Sequence, residues 1–153
     1  AGFHVFNPVP RMPLVEVCVP SDAHHDVAPR LLELANALGK TAIQVPDEPG
    51  FLVNQLLFPF LFTAVDFHAR SGLAPELVDN AFRLGAGHPM GPLALLDFVG
   101  LDVAIAIATN LEIPPPARLA ELVERGSLGR KTGSGFYSYP ARAAASEDGG
   151  SPP

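Results

Sequence analysis

Polar and apolar positions alternate at the start of the chain. Residues 2–6 (Gly-Phe-His-Val-Phe) and 14–19 (Leu-Val-Glu-Val-Cys-Val) each read as a strand, the second rich in valine. Pro8 and Pro10 end the first. Two short strands about a proline turn do not make a stable sheet alone, so this pair needs a partner sheet. The period then becomes helical. Ser21 and Asp22 are N-cap candidates for a helix ending at Leu38, with Gly39 as its stop and Leu31, Leu34, Ala35 and Leu38 on one face. Pro29 inside that span predicts a late start or a bend. Residues 41–45 read as a short extended link. The longest helix covers about 50–70 and closes at Gly72. It is apolar almost all round, from Phe51 through Phe58, Leu61 and Phe62 to Val65. That pattern predicts a helix buried centrally or at a subunit interface, and Pro59 predicts a kink in it. Pro75 opens a helix running to Leu84, and Gly85, Gly87, Pro89, Gly91 and Pro92 form a rigid loop. A helical segment from Leu93 breaks near Gly100 and resumes to about Leu111. Residues 117–125 form a last amphipathic helix, and 129–139 are punctuated by glycine. Residues 141–153, rich in Ala, Ser, Gly and Pro, read as a disordered tail. The fold class is mainly α, a multi-helix domain with two short N-terminal strands.

Composition narrows the function classes. The chain has 153 residues, 48% hydrophobic and 17% charged, which suits one domain with a real core. A net charge of −6 excludes a broad basic field for nucleic acid or an anionic membrane. The apolar stretch 51–65 is short for a membrane span and contains Asn54, Gln55 and Pro59. Cys18, the single cysteine, has no internal partner and fits a reducing, cytoplasmic compartment. His24 and His25 lack a ligand companion one turn on, and with no Cys/His cluster no metal site is expected. Ala1 leads straight into a strand pattern without a basic leader, as expected of a domain cut from a longer chain.

Four residues are candidates for chemistry. A turn between the strands can bring His4 and Glu16 side by side, and a His–carboxylate pair is a general-base unit. The bland alternative is a half-buried strand histidine and a solvated glutamate. Asn54 is a lone amide near the start of a very apolar helix. It either binds a neighbouring loop or reaches a substrate, since an unpaired buried amide costs roughly 1–3 kcal/mol. Asn7, between Phe6 and Pro8, is a turn former or a ligand contact. Gly133 and Gly135 in Lys-Thr-Gly-Ser-Gly-Phe lack the strand-to-helix context and spacing of a phosphate loop, and no dinucleotide fingerprint occurs.

In order, these segments resemble the 3-hydroxyacyl-CoA dehydrogenase family over residues 2–139. Residues 2–10 (Gly-Phe-His-Val-Phe-Asn-Pro-Val-Pro) resemble its signature around the catalytic histidine, and 14–17 the stretch with the glutamate partner. Residues 47–54 (Asp-Glu-Pro-Gly-Phe-Leu-Val-Asn) resemble its entry to the long helix, 84–92 its Pro-Met-Gly-Pro loop, and 96–102 and 129–137 complete the match. The resemblance implies a 6-phosphogluconate-dehydrogenase-C-terminal-like helical domain: residues 1–20 at the edge of an NAD-binding Rossmann domain, 21–140 the helical part. It implies oxidation of an L-3-hydroxyacyl-CoA by NAD, in β-oxidation or 3-hydroxybutyryl-CoA metabolism. His4 would take the hydroxyl proton and Glu16 would orient His4. Asn54 would hold the substrate, and Asn7 would support the strand or contact ligand. It further implies a homodimer through the helices, an N-terminal Rossmann partner domain, and no cofactor site within the 153 residues. On that reading the chain alone is inactive. A free-standing, non-catalytic dimerisation or acyl-CoA-binding module is the alternative.

Overall fold

The computed structural model describes residues 1–140, so the expected tail at 141–153 lies outside the described residues. Strand β1 (Gly2–Val5) pairs antiparallel with β2 (Leu14–Cys18). Residues Thr41–Val45 are a third strand, β3, parallel to β2, and the sheet order is β1-β2-β3. The expected link is thus the partner the strand pair needed. A parallel pair requires a long crossover, and helix α1 (Val27–Ala37) supplies it. Ser21 and Asp22 do not cap that helix. It starts late, after Asp26, which places Pro29 in the first turn where a missing N–H breaks no helical bond.

Alternation along the strands sorts the two faces. Val15 and Val17 are fully buried and pack with Ala35 of α1, and Phe3, Leu31, Leu32 and Ala42 close around them. The residues between them, His4 and Glu16, are therefore turned to the opposite face.

The described chain forms two compact units. The first holds Ala1–Phe60 with Ile107–Pro114, and the second Leu61–Ala106 with the described residues from Pro115 on. Helix α2 (Val53–Ser71) runs on through Pro59 and contributes to both. Phe58, Leu61, Phe62 and Val65 are buried, whereas Leu56 and Phe67 are exposed, so its apolar surface is only partly covered. In the second unit α3 (Pro75–Asn80) continues into a π-helical turn, Ala81–Gly85. Helix α4 (Pro92–Val99) meets α5 (Leu101–Asn110) at a 92° bend, and Gly100 has the left-handed φ of +103° that the bend uses. Helix α6 (Ala117–Glu124) packs Leu119 and Leu122 inward. No single described helix is long and apolar enough to cross a membrane.

Candidate active site

The antiparallel register sets His4 directly opposite Glu16. Their side chains meet with Nδ1 of His4 2.6 Å from Oε2 of Glu16. Glu16 is fully buried, which rules out the solvated glutamate. A buried carboxylate needs partners, and Glu16 has them. Its other oxygen, Oε1, accepts the N–H groups of Leu52 (3.1 Å) and Val53 (2.8 Å) at the start of α2. Those are amides a helix leaves unpaired, and the helix dipole favours a negative group there. One oxygen thus anchors the carboxylate to α2, and the second fixes the histidine.

A carboxylate accepts and does not donate, so Nδ1 carries the hydrogen, and in the neutral ring Nε2 then holds the lone pair. The His4 side chain is 27% exposed. Its ring lies between Phe6, with centroids 4.6 Å apart, and Phe51, at 5.2 Å. Phe51 belongs to the turn that enters α2. That turn needs Gly50, with φ +80°, because a Cβ there would sit 2.3 Å from the side chain of Leu111. Asn54, half-buried, follows in the first turn of α2, so it shares the element that anchors Glu16. Asn7 is exposed, at the start of the loop between the strands. Lys40 holds that loop by donating to the carbonyls of Val9 (2.5 Å) and Met12 (2.9 Å). On the same sheet, burial pushes the Cys18 thiol up, and it donates to Asp47 at 3.0 Å, an arrangement that keeps it unreactive. A hollow of about 340 Å³ in this unit, lined by Pro49, Gln55, Pro59 and residues 110–113, does not include His4 or Glu16. Hydrogen-bond geometry, more than volume, marks the site.

A family model described as "3-hydroxyacyl-CoA dehydrogenase, C-terminal domain" matches residues 50–139. The chain belongs to the 3-hydroxyacyl-CoA dehydrogenase family. The model for the family's NAD binding domain matches residues 1–48. The chain is 43% identical over 147 residues to the mitochondrial hydroxyacyl-coenzyme A dehydrogenase of Mus musculus, covering 91% of this chain and 47% of that protein. It is 41% identical to the 3-hydroxybutyryl-CoA dehydrogenase of Clostridioides difficile, covering 90% and 52%. Among solved structures it resembles M. tuberculosis FadB2, with TM-score 0.87, 42% identity and coverage of 91% and 52%. The (S)-3-hydroxybutyryl-CoA dehydrogenase PaaH1 from Ralstonia eutropha gives 0.85, 39%, 91% and 52%. The chain spans about half the length of the curated relatives it matches.

In this dehydrogenase-family chain the second unit carries a constellation that sequence reasoning missed. Asp79, buried, accepts the N–H groups of Leu93 (2.8 Å) and Ala94 (2.9 Å) at the start of α4, and the Tyr137 hydroxyl at 2.7 Å. Asp97, also buried, accepts Phe136 N, Tyr137 N and the Tyr139 hydroxyl, each at 2.9 Å. Burial raises the Asp97 carboxyl above its usual range against the pull of those three donors. Burial and the Asp97 carboxylate push the Tyr139 phenol up to about 12. Gly135, read as a weak phosphate-loop signal, has a different reason to be glycine: a Cβ would fall 2.0 Å from the Asp97 carboxylate. The available signal was Asp97 itself, an acid inside the apolar run 93–99.

Proposed function

We propose that this chain supplies the proton-transfer half of an NAD-dependent L-3-hydroxyacyl-CoA dehydrogenase. The observation that carries the reading is the 2.6 Å contact between His4 and a Glu16 that is buried and anchored on α2. Nε2 of His4 takes the proton of the substrate's C3 hydroxyl. Glu16 fixes the imidazole tautomer and stabilises the imidazolium that results. NAD, when bound, supplies the acceptor for the hydride leaving C3, which completes oxidation of the alcohol to a ketone. Asn54 holds the substrate's reacting end, and Asn7 supports the His4 strand or contacts ligand.

The NAD site itself lies on the family's nucleotide-binding domain, and strands β1 and β2 belong to the edge of that domain's sheet. The match of residues 1–48 to the NAD-binding family model supports placing β1 and β2 in that domain. Isolated, the chain does not turn over. The helical part forms a homodimer, a reading supported by the exposure of Leu77 and Leu84, and solution mass tests it. The buried Cys18 thiol fits a reducing compartment, which we take to be the cytoplasm.

The test is NADH formation from NAD and 3-hydroxybutyryl-CoA, by the chain alone and by the chain joined to an NAD-binding domain of the family. The expected result is activity only in the joined protein, lost in His4→Gln. Full turnover by joined His4→Gln overturns the reading.

A further inference from the structure

Phe51 has a backbone that a phenylalanine rarely adopts, with φ at +51°. For a residue with a Cβ that left-handed conformation is disfavoured about tenfold or more. It persists only where its surroundings over-determine it. The surroundings are those of the site. Phe51 N donates to Glu48 O at 3.0 Å, which closes the turn. The next two amides, of Leu52 and Val53, donate to Glu16. The Phe51 ring lies tilted at 34° against His4, with centroids 5.2 Å apart, and its edge reaches the Gly2 position two residues back on the same strand face. Plain burial does not account for this, because Phe51 is only half-buried and an ordinary φ would bury a ring with less strain. The left-handed step lets one turn send its ring to the histidine and its amides to the histidine's partner.

We propose that Phe51 is a positioning residue: its ring closes one side of the imidazole and holds His4 in line with Glu16, and the strained backbone is retained for that purpose. The proposal rests on His4 as the proton acceptor. It does not make Phe51 catalytic, since Phe51 acts through His4.

The test uses Phe51→Gly, Phe51→Ala and Phe51→Tyr. In the 153-residue chain, proton NMR follows the His4 Nδ1–H held by Glu16, and thermal unfolding reports the strain. The glycine variant is expected to have an unfolding constant about tenfold smaller than the alanine variant, the reverse of the usual order. Both are expected to lose the slowly exchanging Nδ1–H resonance, and the tyrosine variant to keep it. In the protein joined to an NAD-binding domain, kcat of Phe51→Gly falls by about tenfold or more, as misplacement of a reacting group predicts, and Phe51→Tyr restores it. An unchanged Nδ1–H signal in Phe51→Gly, or unchanged kcat where His4→Gln is dead, overturns the proposal. Full turnover in His4→Gln would instead remove the proton-acceptor reading and the catalytic half of the proposal with it. The Nδ1–H resonance then still decides whether Phe51 positions the ring.

Discussion

Both units of this chain use the same device and put it to different ends. In the first, the carboxylate of Glu16 reaches from a strand to the opening amides of α2. In the second, the carboxylate of Asp79 reaches from α3 to the opening amides of α4. Each is buried and each satisfies helix donors that would otherwise be orphaned. They differ in the remaining partner. Glu16 holds an imidazole that is 27% exposed and has a free nitrogen, while Asp79 holds the phenol of Tyr137. Burial and Asp79 both raise the pKa of that phenol, so its proton stays in place at neutral pH. On the proposed function the first cluster moves a proton, whereas the second keeps one. A carboxylate at a helix start is therefore not a functional signal on its own; the chemistry and exposure of its partner decide.

That contrast predicts opposite responses to substitution. The largest effect is on turnover: His4→Gln in the joined protein lowers kcat by roughly 10²–10⁴-fold, the usual worth of a general base. Asp97→Ala acts on the fold instead. It strands Phe136 N, Tyr137 N and the Tyr139 hydroxyl and destabilises the fold by about 3 kcal/mol or more, measured by denaturant unfolding. Gly135→Ala forces a methyl against Asp97 and is expected to lose about 1–3 kcal/mol in the same measurement. The smallest effect is alkaline. Folding raises the Tyr139 phenol from 10.0 to about 12, so the folded state holds the proton more tightly than the unfolded chain. The resulting stability is fully present below pH 10 and is lost as pH rises through about 12. Tyr139→Phe should flatten the unfolding profile across that window at a neutral-pH loss of about 1 kcal/mol. A profile that does not flatten would mean the second cluster is not sealed as described.

The sequence was legible wherever the deciding interaction is local. The strand alternation, the late start of α1 and the break at Gly100 follow from neighbours, while the spacing left the His4–Glu16 pairing open and the family resemblance favoured it. What escaped depends on residues far along the chain. Residues 41–45 read as a link because the strand they pair with, β2, lies on the far side of α1 in the sequence. Glu16 looks solvated because the cover on its face, the amides of Leu52 and Val53, comes 36 and 37 residues later. Gly135 was visible as special, but its reason is a carboxylate at Asp97, and no pattern of nearby residues points there. The left-handed φ of Phe51 has no sequence signature, since phenylalanine is a poor choice for that conformation.

Strand β2 works like a text read in a frame of two. Its odd letters, Val15 and Val17, spell the core, and its even letter, Glu16, spells the contact with His4. Insertion or deletion of a single residue within it would transpose the two messages, sending the carboxylate into the valine cluster and the valines toward His4. Length changes in this segment can therefore be absorbed only in the proline loop before it or the turn after it. Substitution is the one kind of change by which the site itself can be tuned.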